Sequence, residues 1–159
     1  EVFWYGCPHC YDFEPHINKW LQSKADDVEF RRMPAVFSKT WVAHAKAYYT
    51  AEKLGVLDKI HTPLFEALHK KRKRVSTEDE LKDFFVSKGV DADEFTKVFN
   101  SSEIETKFKQ AFIMGKRYKI TGVPAVIING KYMTSGSLAG SYDNLLKTIN
   151  DLVAKERGE

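Results

Sequence analysis

Glu1-Val2-Phe3-Trp4-Tyr5-Gly6-Cys7-Pro8-His9-Cys10 opens the chain, and its reading decides the fold. The first five residues are apolar and aromatic enough for a buried strand, and Gly6 punctuates. Beyond it, Cys10, Phe13, Ile17, Trp20 and Leu21 recur at helical spacing, which predicts a helix to about Ser23. The Cys-x-x-Cys therefore falls where a strand turns into a helix. Cys7 stands at the helix N-terminus and Pro8 in its first turn, where a missing N–H is harmless. Unpaired backbone N–H groups and the positive end of the helix dipole then favour a thiolate at Cys7. A thiolate is the form that attacks or leaves in disulfide exchange, so the pair reads as a redox dithiol.

Two plainer readings compete with that one. A structural metal needs about four ligands, usually a second Cys-x-x-Cys or a His pair at short spacing. His16, His44, His61 and His69 are scattered, and none pairs with a neighbour in this way. A purely structural disulfide would close a loop with only two intervening residues and remove little chain entropy.

The remaining composition is that of an ordinary globular protein. Its 159 residues suffice for one domain with a sizeable core, and 43% hydrophobic residues exclude disorder. No apolar run approaches the length needed to span a bilayer. The net charge of +3 is mild. Lys70-Lys71-Arg72-Lys73-Arg74 closes a helical pattern, where cations suit the negative dipole end; no aromatic residues interleave it as in a nucleic-acid patch. No nucleic-acid partner is expected. The chain shows no signal peptide and no initiating Met, so the given start is read as processed or trimmed.

Asp26-Asp27 makes a turn, and Val28 to Met33 alternates with period two, predicting a second strand ended by Pro34. From Trp41 to Tyr118 every stretch reads as helix. Gly55 stops the first, and Pro63 implies a kink or a fresh start in the second. Thr77-Glu78-Asp79-Glu80 and Asp91 to Glu94 are capping-box openings for the next two, with Gly89 between them. The period then returns to two. Ala125-Val126-Ile127-Ile128, the hairpin signal Asn129-Gly130 and a return strand Lys131 to Thr134 precede an amphipathic helix from Tyr142. The fold class is thus α/β: a thioredoxin-like mixed sheet with an inserted all-helical subdomain. The expected division is a discontinuous thioredoxin-like domain over 1–40 and 119–159 and a helical insertion over 41–118.

Phe3-Trp4-Tyr5-Gly6-Cys7-Pro8-His9-Cys10-Tyr11, the Thr121-Gly122-Val123-Pro124 segment and the helical block between them resemble the DsbA family of bacterial periplasmic thiol–disulfide oxidases. The resemblance covers essentially the whole chain. It implies that Cys7 is the partly exposed nucleophile, that Cys10 is its buried resolving partner, and that Pro8 and His9 belong to the same catalytic tetrapeptide. His9 would stabilise the Cys7 thiolate, and each pKa unit of depression favours the reduced form by about 1.4 kcal/mol. A stabilised reduced form makes the disulfide a stronger oxidant. Val123-Pro124 would be a cis bond facing the disulfide, with the Val123 backbone pairing to an extended substrate by strand addition. Glu1, six positions before Cys7, would be a buried acid that helps proton transfer at Cys10. Its basic partner would be Arg32, although adjacent Arg31 leaves that assignment open.

The family usually carries a further strand ahead of Glu1, so an exposed sheet edge is expected, and with it a monomer unless that edge pairs. The implied activity is donation of the Cys7–Cys10 disulfide to reduced, folding proteins in the periplasm. Reoxidation would come from a quinone-linked membrane partner of the DsbB type, and no cofactor or metal would be needed. Two other functions stay open on the sequence: a reductase or isomerase on the same fold, and a non-enzymatic peptide-binding module.

Overall fold

The opening ten residues fold as a strand, a turn and a helix. In the computed structural model, which describes residues 1–159, β1 (Val2–Phe3) leads through Gly6 into α1 (Pro8–Ser23). Cys7 is the N-cap in an extended conformation, and Pro8 occupies the first helical position. Cys10, Phe13, Glu14, Ile17 and Trp20 form the buried stripe of α1, spaced three and four apart as packing on a sheet requires. Glu14 is the charged member of that stripe.

β2 (Met33–Pro34) is much shorter than the predicted strand from Val28. Val2 pairs with Met33 and Phe3 with Pro34 in parallel, so residues 28–32 have no β1 ladder residue opposite them. Their side chains alternate between half-buried (Val28, Phe30, Arg32) and exposed (Glu29, Arg31), and the Glu1 amine donates to the Arg31 carbonyl just ahead of the ladder. β3 (Ala125–Ile128) runs antiparallel to β1 through Val2 and Ala125, and β4 (Tyr132–Ser135) closes the hairpin. Asn129 and Gly130 both take positive φ, 52° and 70°, as a type I′ turn requires. The ladder closes on Ile128 and Tyr132, so Lys131 belongs to the turn and not to the strand. The strand order is β2-β1-β3-β4. Since β1 and β2 are parallel and β3 opposes them, three points meet at one end of the sheet: Cys7, the chain leaving Pro34, and Pro124.

The helical block comprises α2 (Lys39–Lys53), α3 (Leu57–His69), α4 (Glu78–Val86), α5 (Ala92–Phe99) and α6 (Ser102–Arg117). Pro63 does not start a new helix. α3 runs through it, held on both sides by buried Ile60, His61, Leu64, Phe65 and Ala67, at the cost of one backbone bond. Thr77 and Glu80 complete the capping box of α4; Asp91 caps α5 by accepting from Asp93 and Glu94 N–H. A single turn, α7 (Gly136–Ala139), was not anticipated, and α8 (Tyr142–Arg157) ends the chain.

The largest apolar cluster joins Phe3, Tyr5, Cys7 and Cys10 to Ile60, Leu64, Phe65, Leu81, Phe85 and Phe95 of the helical block. A second unites α1 and α8 across β3 through Phe13, Ile17, Val126, Leu145 and Ile149. The redox pair thus sits against the core that the helices build. No helix is long and apolar enough to cross a membrane.

Candidate active site

Antiparallel pairing of β1 and β3 brings the end of β1 against the start of β3, and this is what places Cys7 beside Val123. The Cys7 Sγ–H donates to the Val123 carbonyl at 3.5 Å, and the Val123–Pro124 peptide bond is cis. Both cysteines are free thiols. Cys7 is 8% exposed and Cys10 fully covered, so Cys7 is the accessible member, though less open than the resemblance implied. The two sulfurs differ in acidity for reasons the geometry supplies. Cys7 is lowered to about 6, chiefly by the hydrogen bond from the Cys10 thiol. The backbone N–H groups of Cys10 and His9 add to this, and the charge of His9 contributes least, while burial opposes all three. Burial pushes Cys10 far upward, and the neighbouring Cys7 sulfur pushes the same way. One sulfur is prepared to be a thiolate and the other a thiol.

Pro8 and His9 are exposed on the first turn of α1. The Tyr142 hydroxyl donates to the His9 carbonyl at 3.0 Å, tying this turn to the start of α8.

Behind Cys10 lies a buried cluster of charges. Arg32 Nε donates to Glu1 Oε2 and its Nη2 to Glu14 Oε1, each at 3.1 Å. Glu14 Oε1 also meets His61 Nε2 at 3.2 Å, and His61 Nδ1 lies 2.8 Å from the Tyr5 hydroxyl. Arg31 instead pairs with Glu29 at the surface, which resolves the earlier ambiguity in favour of Arg32. Burial raises Glu1, with Arg32 opposing. Burial also pushes Glu14 upward, but His61 and Arg32 outweigh it and hold the carboxylate below its ordinary value. Glu14, His61 and Tyr5 were not singled out in the sequence. Only Glu14 had a readable signal, a carboxylate on the apolar stripe of a helix.

A groove of about 790 Å³ borders the thiols, lined by His9, Val123, Pro124, Met133, Leu138 and Tyr142 among others. Leu138 on α7 is 69% exposed at its rim. A larger depression, about 1130 Å³, runs along β2 past Glu1, Arg32 and Tyr48 and is not lined by His9, Val123 or Pro124. Neither cysteine lines the smaller groove itself, but His9 and Val123, the neighbours of Cys7, do, so the thiol chemistry adjoins that one. No group of three or more His, Cys, Asp or Glu side chains is arranged to hold a metal ion.

Comparison with known proteins gives a consistent result. Residues 1–150 match the family described as DSBA-like thioredoxin domain. The thiol:disulfide interchange protein DsbA of Azotobacter vinelandii is 41% identical over 157 residues, covering 99% of this chain and 73% of that protein. Its counterpart in Pseudomonas syringae pv. tomato is 42% identical with the same coverage. The crystal structure of Pseudomonas aeruginosa DsbA superposes with a TM-score of 0.94 at 42% identity, over 99% of this chain and 82% of that one. The DsbA of Xylella fastidiosa gives 0.91 at 36% identity, over 100% and 85%.

Proposed function

The chain belongs to the DSBA-like thioredoxin family and is a protein-disulfide oxidoreductase of the DsbA type; from that premise we propose that it acts as a disulfide donor through Cys7. In its oxidised form a substrate thiolate attacks Cys7 Sγ, the Cys7–Cys10 bond breaks, and Cys10 leaves with the electron pair. Cys10 takes up a proton, because its buried site disfavours charge, and Glu1 is the nearby acid that helps deliver it. A second substrate thiolate then attacks the substrate sulfur of the mixed disulfide, and Cys7 departs as a thiolate. The substrate dithiol loses two electrons and becomes a disulfide, while the enzyme gains a dithiol. No cofactor takes part.

The observation that carries this reading is the asymmetry of the two sulfurs. A leaving group at about 6 departs readily and, once free, is poorly inclined to attack back. The Val123 carbonyl against Cys7 and the adjoining groove offer an extended polypeptide a backbone partner and an apolar wall. Substrates are therefore reduced, folding proteins; the reading takes the protein as a monomer unless the exposed sheet edge pairs. Family membership supports a periplasmic location after removal of a signal sequence, and reoxidation by a quinone-linked DsbB-type membrane protein. Disulfide donation itself requires an oxidising compartment.

Equilibration of Cys7–Cys10 with a graded glutathione redox series, followed by tryptophan fluorescence, tests the direction of transfer. The expected midpoint is far more oxidising than that of thioredoxin. A strongly reducing midpoint would overturn donation and mark a reductase on the same fold.

A further inference from the structure

The Tyr142 hydroxyl reaches from the start of α8 to the first turn of α1, where it donates to the His9 carbonyl at 3.0 Å, 133 residues away along the chain. Its ring is held in place by its neighbours. Phe13 and His16 of α1 lie at centroid distances of 5.3 and 5.0 Å, and a Cβ added at Gly136 would stand 3.3 Å from the ring. Ser141 caps α8 just ahead of it by accepting from Asn144 N–H, which sets the backbone that carries the ring. Burial raises Tyr142 above its ordinary value, with Asp12, Cys10 and Cys7 pushing the same way. The hydroxyl therefore keeps its proton, and remains a donor, over the range in which Cys7 titrates.

The oxygen it touches belongs to a particular peptide group. The His9 carbonyl and the Cys10 N–H are the two ends of one planar amide. Cys10 is the third residue of α1, so its N–H has no intrahelical acceptor. As a thiol, Cys7 caps nothing and turns its S–H to Val123. The N–H groups of Cys10 and His9 favour its thiolate. A donor at the carbonyl end of an amide polarises it and makes its N–H a stronger donor in turn. We propose that Tyr142 is a positioning residue for the thiol chemistry, its hydroxyl polarising the His9–Cys10 peptide group so that the Cys10 N–H holds the Cys7 thiolate more tightly. The chain runs from tyrosine O–H to carbonyl and from amide N–H to sulfur, and it carries a contribution of α8 to the reacting atom. The inference rests on the disulfide-donor reading, in which a stabilised Cys7 thiolate is what makes the disulfide a strong oxidant.

Tyr142→Phe removes the hydroxyl and leaves the ring. Strengthening a charge-assisted hydrogen bond by tens of per cent corresponds to roughly half a pH unit in the Cys7 titration, or about threefold in an equilibrium. Thiolate ultraviolet absorbance should accordingly show Cys7 titrating higher in Tyr142→Phe than in wild type. At neutral pH the glutathione equilibrium of the variant should move about threefold toward the oxidised protein, since its reduced form is less stabilised. Tyr142→Leu, which removes the ring as well, should lower the melting temperature further without a further rise in the titration. An unchanged titration in Tyr142→Phe, whatever its melting temperature, overturns the proposal and leaves Tyr142 a packing residue. A rise seen only in Tyr142→Leu assigns the effect to the ring and overturns it too. A strongly reducing midpoint of the wild type would instead sink the donor reading, while the difference between wild type and Tyr142→Phe still tests the hydroxyl, so the two failures are distinguishable.

Discussion

At the scale of single residues, the acidity of Cys7 is a property of its neighbours. An unperturbed thiol titrates near about 8.5, and Cys7 is lowered to about 6. The largest cause is the hydrogen bond from Cys10, ahead of the backbone N–H groups and the charge of His9. Cys10→Ala should therefore raise the Cys7 titration, read from thiolate ultraviolet absorbance, most of the way back to about 8.5. His9→Ser should raise it by less. If His9→Ser moves it further than Cys10→Ala, charge and not the sulfur–sulfur hydrogen bond is the dominant cause. The sign for stability follows directly. A folded-state value below the unfolded one stabilises the reduced protein above the unfolded value, and this gain is lost as pH falls through about 6. Reduced and oxidised proteins should accordingly differ most in melting temperature at mildly alkaline pH, and the gap should narrow toward pH 6.

At the scale of elements, the caps show how local chemistry positions a remote core. Thr77 accepts from Glu80 N–H, while the Glu80 carboxylate accepts from Ser76 and Thr77 N–H. This starts α4 so that Leu81 and Phe85 enter the main core. Thr77→Ala should cost about 1 kcal/mol in urea unfolding, typical of a lost N-cap. The glutathione midpoint should not move, because α4 packs chiefly on α5; a shifted midpoint would show that α4 sets the geometry of Cys7. Such features were legible because they are local. Thr77, Asp91, Gly55 and Asn129-Gly130 each act within four residues of themselves. The length of β2 was not, since alternation over residues 28–33 reports side-chain exposure, whereas a ladder is defined by backbone pairing, which here joins Met33 to Val2 and Pro34 to Phe3. α7 was invisible for another reason. It buries no side chain, so it leaves no apolar period to find.

At the scale of the whole molecule, the redox tetrapeptide and Val123-Pro124 could be found as contiguous motifs, whereas the charge cluster behind Cys10 could not. Glu14 and His61 lie 47 residues apart, and Tyr5 and His61 are 56 apart. Only the sheet order and the docking of α3 bring them together. Arg32 is the hinge of that cluster, linking the segment before β2 to Glu1 ahead of β1 and to Glu14 of α1, which in turn holds His61 of α3. Removing its charge leaves two buried carboxylates without a guanidinium, so Arg32→Met should cost about 3–5 kcal/mol near neutral pH. Adding Glu14→Leu to Arg32→Met should recover part of that loss, because an apolar replacement no longer needs a partner. Glu14 is held below its ordinary value, so its ionised form contributes stability above the unfolded carboxylate value, and that contribution is lost as pH falls. The difference in urea stability between wild type and Arg32→Met should therefore shrink on acidification through the carboxylate range. A difference that stays constant with pH would mean that Arg32 acts through the packing of its aliphatic stem and not through its charge.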